Sequence, residues 1–458
     1  MTDLTHLPAL TLRDRLASGD LKATDVMAAF LDRIDVANPA VNALASLRPR
    51  GDLMAEAARK DAQGVTGPLH GLPMAPKDLS DTAGLRTTYG SPVFADFVPE
   101  TDSHLAARLR QAGAIFVGKS NTPEFGLGSH TYNPVHGVTR NPYALDRTAG
   151  GSSGGAGVAL ATRMLPIADG SDMMGSLRNP AGWNNVYGLR PSYGMVAQEP
   201  RGDTFHKQLS TAGPMARHPG DLRLLLDVLA TPEPLSPHPA PVQRPAPREI
   251  RWIGDWNGRI PFEDGILDLC LDAVNVLDRR GYKVSSGVPQ IDGDAIWQSW
   301  IDLRSWLVGS DLGPLLENPD TRDRLKPEAI WEIERGRAMS AMTISRASAI
   351  RSDWFREVEQ TDVLWAIPSA QLFPFDARED WPKAVANVEM DTYHRWMECV
   401  ILCSLIGAPG ICLPAGFRDG LPIGVQIFGP RGTDHALIEL AETYHDATDW
   451  PGRMPSPI

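Results

Sequence analysis

The sequence predicts an α/β fold in which helices feed short apolar strands of a covered sheet. Three observations carry this reading. Thr101 to Gly113 has the spacing of an amphipathic helix ending on glycine, and the wholly apolar Ala114-Ile115-Phe116-Val117-Gly118 follows at once as a strand. A second unit sets a buried helix, Ala156–Arg163, before a strand, Leu165–Ala168. A third unit, strand Ile250–Ile253 then helix Ile266–Arg279, repeats the alternation beyond a proline-dense stretch.

The other elements follow in order. Thr11 to Ile34 reads as helix–turn–helix broken at Ser18-Gly19-Asp20, with Thr24 as N-cap and Asp25 in the first turn. Asn38-Pro39 should end the second helix, and Asp52 to Gln63 forms a third. Pro219 to Ala230 is another helix, closed by Thr231-Pro232, and Pro232 to Pro247 is a surface connection. Ile291 to Trp396 reads as mostly helical, rich in Trp and Arg and without a motif. Trp297, Trp300, Trp306 and Trp331 stand in it as core residues at helical spacing. Leu413–Ile438 alternates short strands with Gly-Pro turns and then becomes helix. Because the alternation continues past the proline stretch, one domain spanning 1–458 is expected.

Composition limits the function classes. The 458 residues are 42% hydrophobic and 22% charged, ordinary values for a globular chain. A formal net charge of −12 with no basic cluster argues against a nucleic-acid partner. Cys270, Cys399, Cys403 and Cys412 are too few for a disulfide framework and suit a reduced cytoplasmic setting. Cys399 and Cys403 lack a second ligand pair, so buried thiols are expected and no metal. The N-terminus shows no signal-peptide pattern. The uncharged run Val400 to Phe417 is interrupted by Gly407, Pro409, Gly410, Pro414 and Gly416, which suits a buried helix end, turn and strand better than a membrane span.

The stretch with chemical content runs Gly150-Gly151-Ser152-Ser153-Gly154-Gly155, then Asp172-Met173-Met174-Gly175-Ser176-Leu177-Arg178. Glycine costs regular structure about 0.5–1 kcal/mol per position, so four around one Ser pair imply a special backbone path. Upstream lies His70-Gly71-Leu72-Pro73-Met74-Ala75-Pro76-Lys77-Asp78. Together these motifs resemble the amidase signature family of serine hydrolases. Further matches lie at Gly118-Lys119-Ser120-Asn121-Thr122-Pro123-Glu124-Phe125, Gly213-Pro214-Met215-Ala216-Arg217 and Gly420-Leu421-Pro422-Ile423-Gly424-Val425-Gln426. The resemblance covers the chain in outline from about Thr11 to Ala441 and is loosest over 291–396.

The resemblance implies a mixed twisted sheet surrounded by helices and a cofactor-independent hydrolysis of amide bonds, with esters and carbamates also open. It implies Ser176 as nucleophile, Ser152, in a cis peptide, as proton relay, and Lys77 as base. It places the oxyanion hole on the N–H groups of Met173, Met174, Gly175 and Ser176, and assigns Ser153, Asp172 and Arg178 to orienting the loops. Met174 stands where the family usually has glycine, so the two methionines are expected to wall the acyl pocket. Arg190 replaces a usual lysine and receives no catalytic role. A lysine at its ordinary pKa of about 10.4 is no base at neutral pH, so burial must bring it toward roughly 7–8. The expected partner is a small amide, ester or carbamate, apolar or aryl in character. No nucleic acid or membrane is expected, and the state is a monomer or homodimer.

Other readings are open at this point. The same triad serves the glutaminase subunits of transamidation complexes. A phosphate cradle lacks the Gly-Lys-Ser/Thr ending of a P-loop. Gly151-Ser152-Ser153-Gly154-Gly155 also fits G-x-S-x-G, which would make Ser153 the nucleophile of an α/β-hydrolase esterase, with Asp391 and His435 as candidate partners. His130 and His136 are expected to be structural, with substrate contact the sharper alternative.

Overall fold

The computed structural model describes residues 3–197, 203, 205–230 and 238–453. Thr231-Pro232 and the first part of the proline-dense connection lie outside them. Eight strands form one mixed sheet: β1 (Ile167–Asp172), β2 (Tyr187–Arg190), β3 (Thr211–Ala216), β4 (Glu249–Trp252), β5 (Lys283–Ser286), β6 (Leu364–Pro368), β7 (Gly410–Arg418) and β8 (Leu421–Phe428). Their order is β5-β4-β6-β8-β7-β2-β3-β1. β4 runs parallel to β5 and β6, and every other pairing is antiparallel. The β7–β8 hairpin at the centre turns at Asp419-Gly420, both at positive φ, rather than at a Gly-Pro pair.

Helices cover this sheet. α1 (Gly154–Ala161) is buried at all eight positions and packs on β1 and β3. It can approach so closely because Gly155 lacks a side chain: a Cβ there would stand 2.3 Å from the Asn121 nitrogen. α2 (Arg178–Trp183) lies on β7 and β8, as does α3 (Ile266–Asp278). α4 (Gly293–Glu317), α5 (Pro327–Arg337) and α6 (Ala341–Thr361) pack together, with α4 between the other two.

Several expectations need correction. The helix Ala23–Val41 is capped at Lys22, whose N–H donates to Asp25, while Thr24 lies inside it. Its free N–H groups are met by Asp61 from the helix Arg50–Gln63, which accepts from Ala23, Thr24 and the Thr24 hydroxyl. Pro39 sits inside the last turn, and the helix ends at Asn42 in the left-handed region. The strand read at 114–118 is only Ile115–Phe116. It pairs parallel with Pro73–Met74, outside the large sheet.

The helical reading of 291–396 missed β6, a five-residue, fully buried strand near the middle of the sheet. Leu364-Trp365-Ala366-Ile367-Pro368 carries no alternation, because both its faces are covered. Trp297 and Trp300 are buried as expected, whereas Trp306 is half-buried and Trp331 is 36% exposed. The run 400–417 resolves into the short helix Ile401–Leu405 and β7, and no helix among the described residues is long and apolar enough to cross a membrane. All four cysteines are buried free thiols, and the described residues contain no cluster of three or more His, Cys, Asp or Glu that could hold a metal.

Candidate active site

The proline-punctuated turn after His70 is pinned by its parallel pairing with Ile115–Phe116 and by a bridge between Lys77 and Ser120. This sends the Lys77 side chain inward, where 1% of the residue remains exposed. Its Nζ lies 2.7 Å from Ser152 Oγ, 2.9 Å from Ser153 Oγ and 3.1 Å from Ser171 Oγ. Burial pulls the amine down to about 7, against the weaker opposing pull of Asp169 and Asp172. Asp169 accepts the Lys77 backbone N–H at 3.2 Å, and its other oxygen has no partner among the described residues. Burial pushes that carboxyl above its usual range.

Ser152 follows a cis peptide bond from Gly151. Ser153 is fully buried, bonded to Lys77 Nζ and to the Ser171 main chain. Its N–H donates to the Ser176 carbonyl at 3.3 Å, which ties the two serine loops together. The structure does not assemble a nucleophile elbow around it: Asp391 is paired with Arg395 and His435 with Asp227.

The second loop is anchored by one carboxylate. Asp172 accepts two bonds from Arg178 at 3.0 Å, one from Arg190 at 3.1 Å, and the N–H groups of Gly175 and Leu177 at 2.8 and 3.1 Å. Burial alone would raise this carboxyl, but the two guanidiniums reverse the effect and hold it well below the usual range. Arg178 reaches on to the Val400 carbonyl, Ser404 and Gln426, and Arg190 to the Leu209 carbonyl. Arg190 therefore shares the orienting role expected of Arg178.

The Gly175 N–H is thereby engaged, so it is not free to meet an oxyanion. This corrects the expectation for that residue. The N–H groups of Met173, Met174 and Ser176 carry no hydrogen bond to the described residues. Positive φ falls on Gly175 (79°), where a Cβ would also strike Val400, and Met174 keeps an ordinary φ. A side chain at 174 therefore meets no positive-φ backbone strain.

Ser152 and Ser176 both line one cavity of about 150 Å³. Its apolar walls are Leu79, Phe125, Leu127, Met174, Val308, Leu312 and Met397. α4 contributes Arg304, Val308, Asp311 and Leu312, so the region without a motif forms a wall of the site. Trp297, Trp300, Trp306 and Trp331 do not line it. His130 is held by Thr148 and the Ala377 carbonyl and is pulled down to about 4 by burial, while His136 contacts Thr88 and Asp78. Neither faces the cavity.

A family model described as Amidase matches residues 25–285 and 311–438. The chain belongs to the amidase family. The amidase is 31% identical to a glutamyl-tRNA(Gln) amidotransferase subunit of Roseiflexus castenholzii, over 99% of this chain and 98% of that protein. It is 29% identical to an acylamidase of Rhodococcus erythropolis, over 99% and 98%. A bacterial aryl acylamidase of the amidase signature family superposes with a TM-score of 0.89 at 25% identity, covering 98% of this chain and 99% of the other. The enzyme is thus a hydrolase acting on carboxylic amides.

Sequence reasoning about the amidase missed Ser171 and Asp169. The available signal was strand alternation: β1 places Asp169 and Ser171 on one face, and both meet Lys77. For Asp172→Asn we expect a loss of about 3–5 kcal/mol in equilibrium urea unfolding, because two buried guanidiniums lose their counter-charge while the shape is kept. An unchanged unfolding midpoint would refute that account.

Proposed function

We propose that the amidase cleaves small neutral amides through an acyl-enzyme on Ser176, with Ser152 as proton relay and Lys77 as base. The observation that carries this is a buried Lys77 amine, pulled to about 7, standing 2.7 Å from Ser152 at a cavity that also holds Ser176. Neutral Lys77 has one lone pair and two N–H bonds. The pair accepts the Ser152 proton, while Ser153 and Ser171 take the N–H bonds and aim the lone pair.

Ser176 Oγ attacks the carbonyl carbon as its proton passes to Ser152 and that of Ser152 to Lys77. The N–H groups of Met173, Met174 and Ser176 receive the oxyanion, each worth about 3 kcal/mol in the transition state. Collapse breaks the C–N bond, and the Lys77 proton returns through Ser152 to the leaving nitrogen. Water then releases the acyl group by the reverse path. Esters and carbamates fit the same steps.

The test is hydrolysis of p-nitroanilide, primary-amide and carbamate substrates by the purified chain, with mass spectrometry of a slow-turnover ester to find the acylated peptide. Acylation at Ser176 is expected, and acylation at Ser153 would overturn the reading. A second reading is supported by the 31% identity to the amidotransferase subunit: a glutaminase that works only within a complex. Free-standing turnover counts against it. We read the enzyme as acting without nucleic acid or membrane, as a monomer or homodimer, and the net charge of −12 favours the absence of a nucleic-acid partner.

A further inference from the structure

The wall contributed by α4 carries a charged group that the proposed chemistry does not use. Arg304 is 3% exposed and lines the cavity that holds Ser176. Its Nε donates to Glu332 on α5 at 2.6 Å and its Nη2 to Tyr393 Oη at 2.7 Å. Tyr393 in turn donates to Glu332 at 2.9 Å, and Ser305 caps the other Glu332 oxygen. On the cavity side, the one partner of Nη1 among the described residues is the Met173 sulfur at 3.3 Å. A thioether is a weak acceptor, and a guanidinium carries five N–H donors, so two remain without a protein partner among the described residues.

The charge of this arginine is already balanced. Burial would push Glu332 up, but Arg304 reverses the effect and holds it ionised. His394, stacked on Tyr393, is pulled down to about 3 by burial and is neutral at working pH. Further along α4, Asp311 also lines the cavity, paired with Lys207 at 2.7 Å. A carboxylate entering this space would meet an arginine already neutralised by Glu332, with Asp311 a further carboxylate on the wall, whereas an uncharged oxygen would find strong, directed N–H donors in a chamber with apolar walls.

We propose that Arg304 is the specificity-determining residue of the acyl pocket, selecting acyl groups that carry an uncharged oxygen acceptor, such as a ketone, ester or amide carbonyl, a few bonds from the scissile amide. This rests on the acyl-enzyme reading above. The preferred acyl group is apolar along its length, to suit Met174, Val308 and Leu312, with the acceptor placed to displace the Met173 sulfur from Nη1.

Three p-nitroanilides of matched acyl length test this: hexanoyl, 5-oxohexanoyl and glutaryl, the last ending in a carboxylate. Wild type is expected to favour 5-oxohexanoyl over hexanoyl by about tenfold in kcat/KM, with glutaryl below the ketone. Arg304→Met should bring the ketone-to-hexanoyl ratio to about one, and Arg304→Lys should keep part of it. The wild-type ratio needs no variant, and Arg304→Lys keeps a charge beside Glu332 should Arg304→Met fail to fold.

A ratio near one in wild type, an unchanged ratio in Arg304→Met and Arg304→Lys, or glutaryl as the fastest substrate would each overturn the assignment while leaving the acyl-enzyme intact. No turnover of any of the three would overturn the assignment, while acylation at Ser176 by the slow-turnover ester decides the acyl-enzyme reading separately.

Discussion

Ser176→Ala is expected to lower kcat on p-nitroanilides by on the order of 10⁴-fold or more, with KM and the unfolding midpoint nearly unchanged. Removing a nucleophile eliminates the covalent route and leaves only whatever the oxyanion donors and binding provide. The substitution deletes one oxygen from a residue that is 5% exposed at the cavity wall, so the packing scarcely alters. Its backbone stays in place because Asp172 holds the neighbouring Gly175 and Leu177 N–H groups. Ser153→Ala should only impair the enzyme, since that hydroxyl orients Lys77 and bonds to Ser171. The reverse pattern, with activity surviving Ser176→Ala and lost in Ser153→Ala, would require a different nucleophile.

Lys77→Met should be equally inactive and should separate activity from stability. In wild type only the neutral amine accepts a proton, and that form dominates above about 7. kcat/KM should therefore fall about tenfold per pH unit below that value and level off above it. Residual activity of the variant should lack this acid limb.

The same amine has an ordinary pKa of about 10.4 once unfolded, so the unfolded chain binds more protons than the folded one between about 7 and 10. Folding thus carries a penalty on the order of 4–5 kcal/mol below pH 7 that is relieved as pH rises through this window. The variant does not carry it, although it forgoes the bonds to Ser152, Ser153 and Ser171. Its unfolding midpoint should exceed that of wild type at pH 6.5, with the gap closing toward pH 10. A pH-independent gap would mean that Lys77 is not neutral in the fold.

Much of this site was legible in the chain because its parts are short and their residue types constrained. Glycines around Ser152 and before Ser176, and the prolines before Lys77, mark backbone paths that few sequences take. Arg190 was harder, since a buried arginine declares its partner only once the fold brings the end of β2 to Asp172 at the end of β1. Arg304, Glu332 and Tyr393 were invisible, because three separate segments bring them together and no local pattern records it. β6 was lost for a related reason: a strand covered on both faces has no period to read. Gly175 shows the opposite limit, where the loop was found but the destination of its N–H depended on a carboxylate three residues earlier.

The mooring of Asp172 separates two kinds of change open to this enzyme. The main chain of 173–176 is tethered, through two arginines, to Val400, Ser404, Gln426 and Leu209, at distant points of the chain. The side chains of Met173 and Met174 take no part in that tether, and 174 occupies a backbone conformation open to residues with a side chain. The loop is therefore a fixed bracket with exchangeable heads. Drift or design at positions 173 and 174 can re-shape the cavity wall while the Ser176 hydroxyl and the neighbouring N–H groups stay where they are, so on the proposed mechanism new substrate ranges lie a few substitutions away.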